Sequence, residues 1–154
     1  KPKPIFKEEA VQMIKEMLVE LAEEESPVDS DTGEFSETAL AYFLTKRQKT
    51  FEFYVNKFVE DVLAYCHRKD FPLPLIFTIV EMILKRFNDI LAAEGYEKNS
   101  EGLYKKIKMD DTEFEFDTSL EVALRKVDVT ELINEKLFNS IKPKLNLYRR
   151  VVSL

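Results

Sequence analysis

Glycine is scarce, at three residues in 154, and tryptophan is absent altogether. Few positions can take the backbone conformations that only Gly adopts cheaply, which disfavours a turn-rich β protein. The single Cys66 excludes an internal disulfide framework and fits synthesis in a reducing cytosol. One Cys and one His are too few soft ligands for a zinc site. No Gly-rich phosphate loop appears, which removes the usual nucleotide-binding folds. No apolar run approaches the roughly 18 residues needed to cross a bilayer. The opening Lys1-Pro2-Lys3-Pro4 has neither an initiator Met nor the apolar core of a signal peptide, as in a chain that begins inside a longer product or after processing.

What is present suits one folded helical domain. The chain is 45% hydrophobic and 34% charged, and its twelve Phe supply most of the aromatic filling for a core. A net charge of -6 argues against wrapping duplex DNA, which needs a concentrated basic face. The charge is unevenly placed. Glu20, Glu23, Glu24, Glu25, Asp29, Asp31, Glu34 and Glu37 follow one another without a Lys or Arg. Lys136, Lys142, Lys144, Arg149 and Arg150 do so without an acid. Such a dipolar chain suits head-to-tail contact with neighbours, although a solvated acidic loop and a basic helix end account for either segment alone.

Apolar spacing predicts the helices. Ala10, Met13, Ile14, Met17, Leu18 and Leu21 form one stripe of a helix beginning near Pro4 and ending around Glu24 or Glu25. Ser26 to Gly33 reads as an exposed linker. Ser36 is a plausible cap for a stretch carrying Leu40, Phe43 and Leu44, with a break possible between Thr45 and Thr50. Phe51, Tyr54, Val55, Phe58, Val59, Val62, Leu63 and Cys66 then lie at offsets of 3, 4, 7, 8, 11, 12 and 15, a single helix face. Pro72 and Pro74 stop that helix and start the next, where Ile76, Ile79, Val80, Ile83, Leu84, Phe87, Ile90 and Leu91 repeat the spacing. Gly95 is its C-terminal cap.

Alternation from Leu103 to Met109 and from Thr112 to Phe116, parted by Asp110-Asp111, predicts a β-hairpin with Phe114 and Phe116 on one face. Thr118 with Glu121, and Asp128 with Glu131, fit the capping-box spacing. They predict a short helix and then a last helix containing Leu132, Ile133, Leu137, Phe138 and Ile141, which Pro143 ends or kinks. The fold class expected is mainly α: a small bundle built on two long antiparallel helices, with one hairpin or extended loop and a C-terminal helix and tail. Its core helices carry Tyr54, Phe58, Val62, Cys66, Ile76, Val80, Ile83 and Phe87.

Catalytic chemistry finds little support. Cys66 and His67 are adjacent, so on a helix their side chains point about 100 degrees apart and form no close dyad. Asp29, Asp31 and Gly33 resemble a calcium loop faintly, but its sixth and twelfth positions would be Glu34 and Leu40 where Gly and a bidentate Glu are required. The basic clusters Lys46-Arg47-Lys49, Lys85-Arg86 and Lys105-Lys106-Lys108, with Tyr104 beside the last, read as solvated faces before they read as phosphate contacts. No enzymatic activity, metal or cofactor is expected.

Four stretches carry a family likeness. Leu63-Ala64-Tyr65-Cys66-His67-Arg68, the Phe71-Pro72-Leu73-Pro74 hinge and Val80 to Asn88, together with Leu147-Tyr148-Arg149-Arg150, resemble the head-tail connector (adaptor, or head-completion) proteins of tailed bacteriophages and prophages. The resemblance covers roughly the last two thirds of the chain and implies a non-enzymatic ring subunit, typically in twelve copies. The ring would sit beneath the portal, extend the DNA channel and carry the next neck, stopper or tail protein. It implies a place in the virion neck after synthesis in a bacterial cytoplasm, with DNA passing through the lumen unread, and no membrane contact.

By the same likeness, residues 37–154 form the connector domain, and the hairpin at about 103–117, with Tyr104, Lys106, Lys108, Phe114 and Phe116, reaches a neighbour. The tail at about 142–154, with Lys142, Lys144, Tyr148, Arg149, Arg150, Val151 and Val152, docks on the portal. Tyr148 would be the aromatic anchor and the two arginines forked donors to carboxylates. A second reading of the tail is that Leu145, Leu147 and Tyr148 cap the subunit's own core. Residues 1–36, a helix and an acidic linker, add to the family pattern. The alternative class is a helical interaction or regulatory module with no phage role, and a helix-turn-helix DNA binder is a weaker one, since neither long helix leaves an obvious recognition face.

Overall fold

A computed structural model describes residues 3–24, 39–98, 104–106 and 124–151. The chain is mainly helical: α1 (Lys7–Glu24), α2 (Ala39–Lys46), α3 (Gln48–Cys66), α4 (Leu73–Ala93), a two-stranded hairpin of β1 (Tyr96–Lys98) and β2 (Tyr104–Lys106), the short α5 (Val129–Leu132) and α6 (Glu135–Tyr148).

The apolar spacing of α3 and α4 is what buries them. Phe51, Val55, Phe58, Val59, Val62 and Cys66 of α3 face inward, as do Ile76, Ile79, Val80, Ile83, Phe87 and Leu91 of α4, while Tyr54 and Leu63 are half-buried. Each large side chain so buried contributes roughly 1.5–3 kcal/mol. Among the described residues no charged or polar side chain is buried. Phe43 of α2 meets Phe87 of α4 with ring centroids 5.6 Å apart, tying the short second helix to the same core.

The two long helices run antiparallel but are not neighbours. α1 packs against both α3 and α4, α6 packs against both from the other side, and α3 and α4 lie diagonally across the core. Side-chain pairs fix the directions. Lys7 pairs with Glu60, and Lys15 Nζ lies 3.2 Å from Glu52 Oε2, so α1 runs against α3. Phe58 stacks edge-on against Phe138 at 6.0 Å and Tyr65 donates to Asn146 Oδ1 at 2.6 Å, so α6 runs with α3. Ala10, Ile14 and Leu18 of α1 sit in one core with α3, α4 and α6, so the additional N-terminal helix is an integral wall of the bundle.

Three local expectations change and one holds. α1 starts at Lys7 and not near Pro4, because residues 3–6 lie outside the helix and Ile5 O accepts the Phe71 N–H at 2.5 Å. α2 and α3 are separated at Arg47 (φ -126, ψ 32), inside the stretch expected to break. The capping box at Asp128 and Glu131 is formed, with Asp128 N–H donating to Glu131 Oε1 at 3.2 Å, but its helix lasts one turn. Asn134 competes there: its side chain accepts the Leu137 N–H at 3.0 Å and caps a new helix, so Ile133 stays extended. α6 then continues through Pro143 to Tyr148, because Pro143 and Asn139 are exposed and water can take the carbonyl that Pro143 leaves unbonded.

The hairpin also differs. Tyr104–Lys106 pairs antiparallel with Tyr96–Lys98, in the register Tyr96 with Lys106 and Lys98 with Tyr104. The turn signals Asn99-Ser100-Glu101-Gly102 fall in its connection, whereas Asp110-Asp111 do not. Gly95, at φ 91, turns the chain from α4 into β1, a conformation that Gly takes without steric cost. Lys108, Phe114, Phe116, Ser36, the 26–33 linker and the box at Thr118 and Glu121 lie outside the described residues.

Candidate docking site

The hinge between α3 and α4 and the C-terminal segment form one hydrogen-bonded cluster. α3 ends at His67 in the left-handed region (φ 53, ψ 45), where His67 N–H reaches Ala64 O at 3.3 Å and Arg68 N–H reaches Leu63 O at 3.1 Å. Glycine ordinarily makes this double closure, and His is among the few others that tolerate it. The reversal swings Arg68 back over the end of α6. Arg68 Nη1 donates to Tyr148 O at 3.2 Å and Nη2 to Asp70 Oδ2 at 2.8 Å.

The tail closes the cluster from the other side. Arg150 N–H donates to Cys66 O at 2.8 Å, and its Nη2 lies 3.3 Å from Asp70 Oδ1. Asp70 is thus held between two guanidiniums, with the Arg68 hydrogen bond first and the Arg150 charge adding to it, and its carboxyl titrates below the usual carboxylate range. Arg149 lies over the Tyr65 ring, 4.8 Å from its centroid, and Lys142 Nζ sits 5.9 Å from the same ring and 5.8 Å from Phe138. These cation–π contacts fix the start of the tail along α3.

Of the tail residues singled out in the sequence, Lys142 and Tyr148 are half-buried against the bundle and Lys144 donates to Thr78 Oγ1 at 3.4 Å. Val151 is 95% exposed, and Val152 lies outside the described residues. Leu145 is in the core and Tyr148 packs against it, but Leu147 is 79% exposed, so it does not cap the subunit. The hinge end also exposes Phe6, Leu73 and Phe77. Exposed apolar side chains of Phe6, α4, α6 and the tail therefore lie toward the same end of the bundle as the Arg68–Asp70–Arg150 cluster. No protein-family model, curated protein or solved structure matches the chain.

Cys66 and His67 diverge as their adjacency requires. Cys66 is fully buried, its Sγ donates to Leu145 O at 3.6 Å, and burial pushes its thiol pKa up, with Arg68 and Arg149 acting weakly the other way. His67 faces solvent. Among the described residues no group of three His, Cys, Asp or Glu is placed to hold a metal ion, and no helix is long and apolar enough to cross a membrane. An open groove of about 590 Å³ lies between α3, α5 and α6, floored by Phe58, Ile133 and Phe138 and rimmed by Lys57, Asp61 and Glu135. Its rim mixes charges of both signs.

Arg68 and Asp70 carried no assigned role in the sequence. The signal available was local: an Arg-x-Asp step in a hinge, facing a basic tail with no acid of its own.

The cluster predicts a pH response with a definite sign. Because the folded Asp70 pKa is lowered, its contribution is complete above the unfolded carboxylate value of about 3.9 and fades as pH falls below it. Asp70→Asn is expected to melt lower than the wild type at neutral pH and to lose part of the acid dependence of the melting temperature. Parallel acid dependence in both proteins would show that Asp70 holds nothing.

Proposed function

We propose that this chain is a ring-forming head-tail connector subunit of a tailed phage, docking beneath the portal, extending the DNA channel and offering a platform for the next neck or tail protein. One observation carries the reading: Leu63–Arg68 and Leu147–Arg150, two of the stretches that resemble the connector family and lie some 80 residues apart, meet in one cluster.

The surface around the cluster suits docking. Leu147 and Val151 stand free of the core, and both arginines lie on the surface, where a partner carboxylate can reach their unused nitrogens. Exposed large apolar side chains gathered at one end mark interaction surfaces more often than scattered ones do. The net charge of -6 suits a lumen through which duplex DNA slides without sticking.

The test pairs the purified chain with a portal protein from the same genome. Annuli in negative-stain images, and co-sedimentation with portal rings, are expected. A chain that stays monomeric beside the portal protein and fails to sediment with it would sink the reading.

A further inference from the structure

α1 and α6 occupy opposite corners of the bundle, each packed on both α3 and α4. Their outward faces carry opposite charge. On α1, Glu8, Glu9, Gln12, Glu16 and Glu20 are exposed, and among the described residues none of those four acids makes an ion pair, Glu16 accepting only from Gln12 at 2.9 Å. On α6, Lys136, Lys144 and Leu147 are exposed, and neither lysine makes an ion pair among the described residues.

The spacing of the two faces agrees as well as their sign. Glu8 and Glu16 are eight residues apart, as are Lys136 and Lys144, so each pair spans about 12 Å along its helix. The polarity is also right. α1 begins at the hinge end, where Ile5 O accepts from Phe71, and α6 finishes there, where Leu145 meets Cys66. Two copies standing side by side in the same orientation therefore bring α1 of one antiparallel to α6 of the next, with Glu8 opposite Lys144 and Glu16 opposite Lys136. In the same register Phe6, which precedes α1 and is 52% exposed, comes opposite Asn146, next to Leu147, which is 79% exposed. Charge sets the register, and the two exposed apolar side chains fall within one residue of each other at its hinge end.

We infer that the α6 face of this protein binds the α1 face of a second copy in this register, through Glu8–Lys144 and Glu16–Lys136 ion pairs beside a Phe6–Leu147 apolar contact. A two-fold contact through either face would oppose like charges, so the pairing is head-to-tail, and each copy keeps one face of each kind free for the next. That the resulting chain of copies closes into a ring rests on the connector reading above; the contact itself does not.

Sedimentation velocity on the full chain and two charge-reversed variants tests the register, with circular dichroism checking that each is folded. The wild type is expected to associate at low ionic strength and to weaken as salt rises. Glu8→Lys with Glu16→Lys, and separately Lys136→Glu with Lys144→Glu, should each weaken self-association about tenfold or more, since like charges then face one another. An equimolar mixture of the two variants should recover it, because alternating copies restore opposite charge at every junction. Wild-type-like association of either variant alone, no recovery on mixing, or a wild type monomeric even at low salt would each overturn the inference. Annuli that survive both reversals would leave the connector reading standing and remove only this register, whereas a chain that neither self-associates nor sediments with portal rings removes both.

Discussion

Val80→Asp is expected to abolish the folded state. Val80 is 1% exposed in the middle of α4, among apolar side chains and with no buried polar group nearby to receive a carboxylate. The change removes a contribution of roughly 1.5–3 kcal/mol from burial and adds about 3–5 kcal/mol for an unpaired buried charge. Protonation of the new carboxyl lowers the second figure without removing it, because the acid still lacks a hydrogen-bond partner. The total is comparable to the whole stability of a domain, about 5–15 kcal/mol. Loss of the cooperative thermal transition followed by far-ultraviolet circular dichroism is the expected result. Leu147→Asp, at a site 79% exposed, supplies the contrast and should shift stability by no more than about 0.5 kcal/mol. If Val80→Asp melted within a few degrees of the wild type, α4 would not be the core helix described here.

The helices were legible in the sequence because each rests on local chemistry. Apolar spacing marked the inward faces of α3 and α4, Pro72 and Pro74 marked the start of α4, and Asp128 with Glu131 marked the start of α5. Competition between neighbouring signals was harder to read. Asn134 and Asp128 both cap helices, six residues apart, and only the packing of Leu132 and Leu137 decides that both are used. The hairpin posed the same difficulty, since Tyr104–Lys106 can alternate with strands on either side of it and pairs with the earlier one.

Non-local partners were not legible at all. The diagonal placement of α3 and α4 depends on α1 and α6 each filling a corner, which no pattern within α3 or α4 encodes. Arg68 bonds a carbonyl 80 residues away, and a carbonyl carries no residue identity to signal it. The tail was therefore readable as basic and aromatic, while its attachment to Cys66, Arg68 and Asp70 was not.

That attachment changes what reversing the tail arginines should do. Arg149→Glu with Arg150→Glu removes the contact over Tyr65 and the 3.3 Å pair with Asp70, and sets a new carboxylate beside Asp70. The Arg150 side chain is 58% exposed, so the pair is screened. Its loss, with that of the exposed cation–π contact, amounts to about 1–2 kcal/mol. A chain of this size should then melt lower by on the order of 2–8 °C, with its helix content kept. Docking suffers more in the connector reading. The reversal places like charge against the carboxylates that the arginines would meet, and frees the Arg149–Val151 segment from the position that Cys66 O and Tyr65 give it. Co-sedimentation with portal rings should fall at least tenfold, a far larger change than the stability loss can produce through unfolding alone. Asp70→Asn separates the two contributions, since it loosens the tail and leaves both positive charges in place. Portal binding unchanged in the double variant would mean that the tail serves the subunit's own hinge and that the portal meets another face.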